Sequence, residues 1–304
     1  MQCKYCGSEK VTKNGKVKGK QQYICKNCGH QFIAASDFPK MRIKSRIIST
    51  SIDWYFEGLS VRKIQNQIGK VFGVYVSQVT VWKWVKKYSH LVKEYVTTLK
   101  PQLSGLWHED ETMVPCEGRN IWFWEMIDED TKFIVASHVS GTRTLEDTIA
   151  IFKKGFEQSK VRPKAVFVDG SHVYTRAFNK VFYTLRKDTR PELVQRVGVR
   201  TRETNNIVER LHGTLKDRTK PMRGLKDFES TKAILEGYTV HYNFVRPHQS
   251  LKGKTPAQAS GLEMKNDWHV LVKKATKNRT NKEIKVQEQE KETLEYEKEM
   301  MVVA

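Results

Sequence analysis

The eleven residues Lys164–Tyr174, KAVFVDGSHVY, decide the fold class. Four of the first five are apolar, the run is too short for a helix, and Asp169-Gly170 ends it. A strand buried on both faces reads this way, and such strands lie in parallel sheets covered by helices. Working outward, three β-rich stretches precede it: SGLWHEDETMVPC (104–116), NIWFWEMID (120–128) and KFIVASHVSG (132–141). Turn signals at Glu117-Gly118 and Asp128-Glu129-Asp130 separate them. A helical pattern, TLEDTIAIFKKGFEQS (144–159), links the third to the apolar strand. Further helical patterns run near 172–186, 206–220 and 228–243. Three strands followed by alternating helix and strand predict an α/β domain with a mixed sheet.

The acids take their meaning from these elements. Asp169 stands at the carboxyl end of the apolar strand, where open α/β sheets place their sites. Asp110 is read as ending the first strand, with period-2 alternation turning it away from Glu109 and Glu111. Glu209 opens a later helix, with His212 one turn on and Lys216 two turns along the same stripe. An N-x-x-E spacing from Asn206 also fits a capping box. Two strand-borne aspartates and a helical glutamate form a hard oxygen set suited to Mg²⁺. Paired metals held in this way cut and join phosphodiesters. Asp128 is the runner-up acid, since it too could end a strand, and it reads as a turn residue.

The first hundred residues differ in kind. The chain of 304 residues has net charge +20, and this segment holds 19 basic and 5 acidic side chains, +14. So basic a front end points to nucleic acid. Cys3, Cys6, Cys25 and Cys28 form two C-x2-C pairs 18 residues apart, the pattern of a structural zinc site. Gly7 and Gly29 follow each pair, where a tight knuckle needs a permissive backbone. The linking KVTKNGKVKGKQQYICK reads as a hairpin with a basic face. Cys116, alone, reads as a small half-buried apolar residue. Beyond the ribbon, three helical patterns follow. Ile43, Ile47, Ile48 and Ile52 mark the first, Val61, Ile64 and Ile68 the second, and Val81, Trp84, Val85 and Tyr88 the third. Ser60 and Ser77 are placed to cap the second and third. The arrangement reads as helix-turn-helix, with Lys83, Lys86 and Lys87 on the outward face of its last helix. No apolar run is long enough to span a bilayer and no leader opens the chain, so a cytoplasmic protein is expected.

Taken together, WHEDET around Asp110, VDGSHVY around Asp169, NNIVERLHGTLKDRTKPMRG around Glu209 and YNFVRPHQSLKGKTPAQASG (242–261) resemble the DDE transposases of prokaryotic insertion sequences. The resemblance spans roughly residues 1 to 262. It implies an RNase H-like catalytic core at 101–262, preceded by a zinc ribbon at 1–34 and an all-α helix-turn-helix domain at 35–100. Residues 263–304 are expected to be a charged tail, a solvated helix or disordered. The resemblance further implies that Asp110, Asp169 and Glu209 hold Mg²⁺ or Mn²⁺, and that Lys216 and Arg218 face DNA. The partners would be transposon ends and target DNA, engaged by a homodimer or higher oligomer, nucleoid-associated when bound. The 39 residues between Asp169 and Glu209 exceed the spacing common in such enzymes, and the surplus is expected in a loop, RKDTRPELVQRV (186–197). The alternatives are a non-enzymatic regulator built on the ribbon and helix-turn-helix, and a transposase-derived protein that no longer transposes.

Overall fold

The computed structural model describes residues 2–3, 5–17, 20–33, 38, 41–196, 206–222, 225–283 and 286. It divides into two compact units, Met1–Ser45 with Leu271–Ala304, and Arg46–Val270.

In the first unit β1 (Val11–Val17), β2 (Lys20–Cys25) and β3 (Gln31–Ile33) form an antiparallel sheet. β1 and β2 are the hairpin expected between the cysteine pairs. Among the described residues, the buried apolar cluster of this sheet is Cys3, Cys25 and Phe32. A core of that size does not fold a sheet unaided, so the cysteines must contribute more than packing. Residues 268–283 are helical, and Leu271, Val272 and Ala275 are buried in this unit, while Trp268, also buried, belongs to the second. The expectation of a solvated tail is therefore corrected for this segment, whose apolar stripe was overlooked beside its charges. Residues 287–304 lie outside the described residues.

The second unit opens with α1 (Ser45–Phe56), α2 (Val61–Phe72) and α3 (Gln78–Val96). Ser60 and Ser77 cap α2 and α3, accepting hydrogen bonds from the Lys63 and Thr80 amides. Gly73, at φ +63°, ends α2 in a left-handed conformation that glycine adopts without a Cβ penalty. Ile48, Ile52, Ile64, Ile68 and Val81 are buried, as their spacing requires.

The sheet that follows has five strands: β4 (Leu106–Cys116), β5 (Arg119–Asp128), β6 (Ile134–Ser140), β7 (Ala165–Asp169) and β8 (Glu192–Arg196). Their order is β6-β5-β4-β7-β8, antiparallel over the first three and parallel from β4 to β8. This is the mixed sheet expected of the α/β domain. One face carries α4 (Leu145–Ser159) and α5 (His172–Phe182), whose Ile151, Phe152, Phe178 and Phe182 pack on Trp107, Met126, Val166 and Val168. α6 (Asn206–Thr219) and α7 (Phe228–Phe244) lie against β4, β5 and β6. The stretch 186–197, expected to be a loop, carries β8. Its turn residues and charges masked a short edge strand, where charge is usual.

Residue 100 marks the change from helices to strands, while the packing runs across it. α3 packs on α7. A Cβ at Gly237 of α7 would lie 2.4 Å from the Phe56 ring and 2.6 Å from Ser89 Oγ. Phe56 stacks on both His241 and Trp268, with centroids 5.7 and 5.4 Å apart. Trp268 Nε1 donates to His241 Nδ1 at 3.2 Å, which leaves Nε2 as the N–H facing Glu57 at 3.2 Å. Asp53, Glu57 and His241 thus form a clasp between α1 and α7, with both imidazole nitrogens engaged.

Candidate active site

The parallel register of β4 and β7 assembles the site. Leu106, Trp107 and His108 pair with Ala165, Val166 and Phe167. Two residues further along both strands, Asp110 stands abreast of Asp169 on the same face. β4 does not end at Asp110 but runs on to Cys116, because β5 continues to pair with it after β7 has stopped. The end of β7, not of β4, opens the site.

Carboxylate oxygens of Asp110, Glu111 and Asp169 lie within 4.8 Å of one another. Glu111 was expected to point away, and its backbone does face α5. Just past the end of β7 its carboxylate still reaches the two aspartates. The Tyr174 hydroxyl donates to it, and the Arg143 guanidinium pairs with it and stands 3.6 Å from Asp169 Oδ2. Arg143 also lies 5.1 Å over the Trp122 ring. In sequence Glu111 is visible only as one of three adjacent acids, and Arg143 has no signal.

Burial, with the Glu111 and Asp169 charges adding, pushes the Asp110 carboxyl up to about 7. Glu109, wholly buried beneath it, is pushed well above the usual carboxylate range by burial and by Glu111 and Asp110. So many acids around one point are a site short of positive charge. Clustered carboxylate oxygens whose repulsion Arg143 relieves only in part fit a hard divalent cation.

The antiparallel register sets Glu125 of β5 directly opposite Asp110. Glu125, Asp110 and Asp169 therefore form a row across three neighbouring strands, with side-chain exposures of 0%, 26% and 43%. His212 of α6 sits over the buried end of the row. Its Nδ1 is 3.7 Å from Asp110 Oδ2 and its Nε2 3.7 Å from Glu125 Oε2. Burial, and then Lys216, brings His212 down to about 4. Burial also pushes Glu125 well up, with Asp110 adding.

Glu209 is exposed on the first turn of α6, one turn before His212, and stands outside the cluster of three. Asn206 is the first helical residue, which moves Glu209 beyond the third position that a capping box uses. Residues 203–205 and 223–224 of the same stretch lie outside the described residues. Lys216, Lys83, Lys86 and Lys87 are exposed.

Arg218 does not face outward, contrary to expectation. It continues the buried stripe of Leu211 and Leu215 at i+7 and i+3, and its guanidinium lies 4.2 Å over the Tyr55 ring of α1. The contact joins α6 to α1.

Asp128 is the last residue of β5 and not part of the turn that follows, a correction to the expected turn residue, and it holds that strand end in place. Its two oxygens accept from the amides and hydroxyls of Ser104 and Thr131 and from the Gly105 amide. Cys116 is buried and accepts from the Thr231 hydroxyl.

In the first unit the four expected cysteines converge, with sulfurs within 4.8 Å of one another. The Cys3–Cys28 and Cys6–Cys25 separations are both 3.6 Å. Sulfurs about 2.3 Å from a shared tetrahedral ion stand about 3.8 Å apart, whereas a disulfide is about 2.05 Å. The Tyr5 and Asn27 amides donate to Cys3 and Cys25 Sγ, and Gly7 and Gly29 have φ of +68° and +71°. Both knuckles are thus shaped for thiolates, and the set fits zinc.

Residues 104–248 match the family model of an IS240-type DDE domain. An uncharacterized protein of Methanocaldococcus jannaschii is 26% identical over 196 residues, covering 63% of this chain and 83% of its own length. Among solved structures, the HTLV-2 integrase catalytic core domain in complex with magnesium, in its dimeric form, is 16% identical with a TM-score of 0.38. That alignment covers 53% of this chain and 97% of the integrase chain. A chain of the simian T-cell lymphotropic virus intasome is 15% identical with a TM-score of 0.38. The match covers 53% of this chain and spans about half, 55%, of that one.

Proposed function

We propose that this chain, which carries a DDE transposase domain at residues 104–248, is the transposase of an insertion sequence. It would bind the element's terminal inverted repeats, cut at its ends and join the freed 3′-hydroxyls to target DNA. The observation that supports the reading is the convergence of the Asp110 and Asp169 carboxylates at the end of β7, within the matched domain.

In this reading Asp110, Asp169 and Glu209 hold Mg²⁺ or Mn²⁺. The bound cation supplies activation of the attacking oxygen and stabilisation of the departing one. Asp110 and Asp169, fixed by strand pairing, set the position of the reacting phosphate. Arg143 offsets part of their charge. Lys216 holds the DNA end near the acids. Lys83, Lys86 and Lys87 on α3 meet phosphates of the bound duplex, which positions the protein without by itself specifying sequence. The cysteine set holds structural zinc, which has no open position for chemistry. Joining two element ends in one event requires a homodimer or higher oligomer on DNA. The protein works in the cytoplasm, at the nucleoid.

Full-length protein is incubated with Mg²⁺ and DNA bearing the sequences that flank its gene, and nicks are mapped to the nucleotide. Nicks at the element ends that disappear with Asp169→Asn are expected. DNA binding with no cleavage under any divalent cation overturns the reading in favour of a regulator built on the ribbon and helix-turn-helix.

A further inference from the structure

We propose that His212 and Glu125 are positioning residues for Asp110: His212 bridges the buried Glu125 carboxyl and the Asp110 carboxylate, and so fixes the orientation of Asp110 and the seat of α6. The inference rests on the reading of Asp110 as a cation ligand.

Three observations carry it. First, Asp110 and Glu125 are direct cross-strand partners, so their side chains leave the sheet on the same face at the same level. Second, His212 lies on the buried stripe of α6 with Val208, Leu211 and Leu215, which leaves it little freedom. Its two nitrogens stand at equal distances, 3.7 Å, from one oxygen of each acid. Third, Glu125 is fully buried, and neither of its oxygens has a hydrogen-bond partner among the described residues. His212 Nε2 also lacks one. Buried polar groups are not left in that condition without cost. A ring movement of about 1 Å completes a hydrogen bond on either side.

The arrangement gives Glu125 a use that packing does not. An apolar residue would fill its place on β5 at lower cost. A carboxyl there anchors the far nitrogen of the imidazole and so directs the near one at Asp110. Partners of this kind behind a ligand typically change metal affinity 10- to 100-fold. Glu209 lies one turn before His212 on α6, so the same contact settles where Glu209 stands relative to the aspartates.

The two amide side chains separate positioning from space-filling. The asparagine amide nitrogen reproduces imidazole Nδ1, and the glutamine nitrogen reproduces Nε2. His212→Asn keeps the contact with Asp110, whereas His212→Gln keeps only that with Glu125. Mn²⁺ is titrated into the full-length protein by calorimetry, without DNA, beside wild type and Asp110→Asn. The expected result is Mn²⁺ binding weakened about 10- to 100-fold by His212→Gln and His212→Ala, and much less by His212→Asn. Glu125→Gln, which still partners the ring, should stay close to wild type, and Glu125→Met should not. If His212→Ala does not melt cooperatively, the asparagine–glutamine contrast decides. His212→Gln binding Mn²⁺ as wild type does overturns the positioning role while leaving the transposase reading intact. An Asp110→Asn protein that binds Mn²⁺ undiminished overturns the reading beneath it.

Discussion

Asp110→Asn should make the protein more stable, before any divalent cation is added, while removing its proposed chemistry. Asp110 is raised from 3.8 to about 7 by burial and by the Glu111 and Asp169 charges, and its side chain is 26% exposed. A carboxyl with a raised folded pKa costs stability as pH rises. Below about pH 4 both states hold the proton and nothing is lost. Between about 4 and 7 the unfolded chain has released it while the folded one retains it. Each pH unit there removes about 1.4 kcal/mol, and above 7 the loss is constant. The full shift corresponds to roughly 4 kcal/mol, and relaxation around the site lowers this to about 2–4 kcal/mol. Asparagine keeps the oxygen that accepts from the Glu111 amide and carries no charge. In a unit of this size the gain should raise the melting temperature by roughly 5–15 °C at pH 8, and by less than half that at pH 5. Thermal melts at both pH values, with the zinc site intact, measure it. Added Mg²⁺ should stabilise wild type and leave the variant unmoved. A variant no more stable than wild type at pH 8, or a gain that does not shrink toward pH 5, refutes the reasoning.

Glu209→Gln should abolish end cleavage in Mg²⁺ while DNA binding persists; cleavage at the wild-type rate would return Glu209 to a local helix role. Metal analysis should find one zinc per wild-type chain, and Cys25→Ser should lose it and unfold residues 1–34, leaving the far-ultraviolet signal of the second unit in place. Gly237→Ala should cost about 1–3 kcal/mol, because its Cβ would meet Phe56 at 2.4 Å, and an unchanged denaturation midpoint would mean that α1 yields freely.

Much of this molecule is legible before it is seen folded, for reasons that differ from place to place. The helices of residues 45–96 follow from isoleucine and valine spacing, and the caps at Ser60 and Ser77 from a local hydrogen bond that one residue makes. Asp169 is found because an apolar strand must stop somewhere and this one stops on an acid. Glu111 is missed because alternation describes where a side chain leaves the strand, not how far a three-carbon side chain and its carboxylate oxygens reach around its edge. Arg218 is misplaced because a cation suggests solvent, whereas Tyr55 offers it an aromatic face from a segment 163 positions earlier. β8 is hidden because edge strands tolerate the charges that also mark loops. Contacts of this kind depend on distant segments that leave no periodic trace.

Phe56 at the end of α1, stacked on His241 and Trp268 with Gly237 beneath, joins the first three helices to the strand-bearing core in one piece. A reader on a flexible tether finds its partner at whatever distance the tether allows. On the proposed reading of these helices as the part that grips DNA, a reader set in the same solid as the acids works as a gauge. If both touch one duplex, the interval between the bases gripped and the phosphate attacked is a property of the protein, measured along the DNA in helical repeats of about 10.5 base pairs. Five base pairs inserted into that interval would turn the scissile bond to the far side of the duplex, and ten would bring it back.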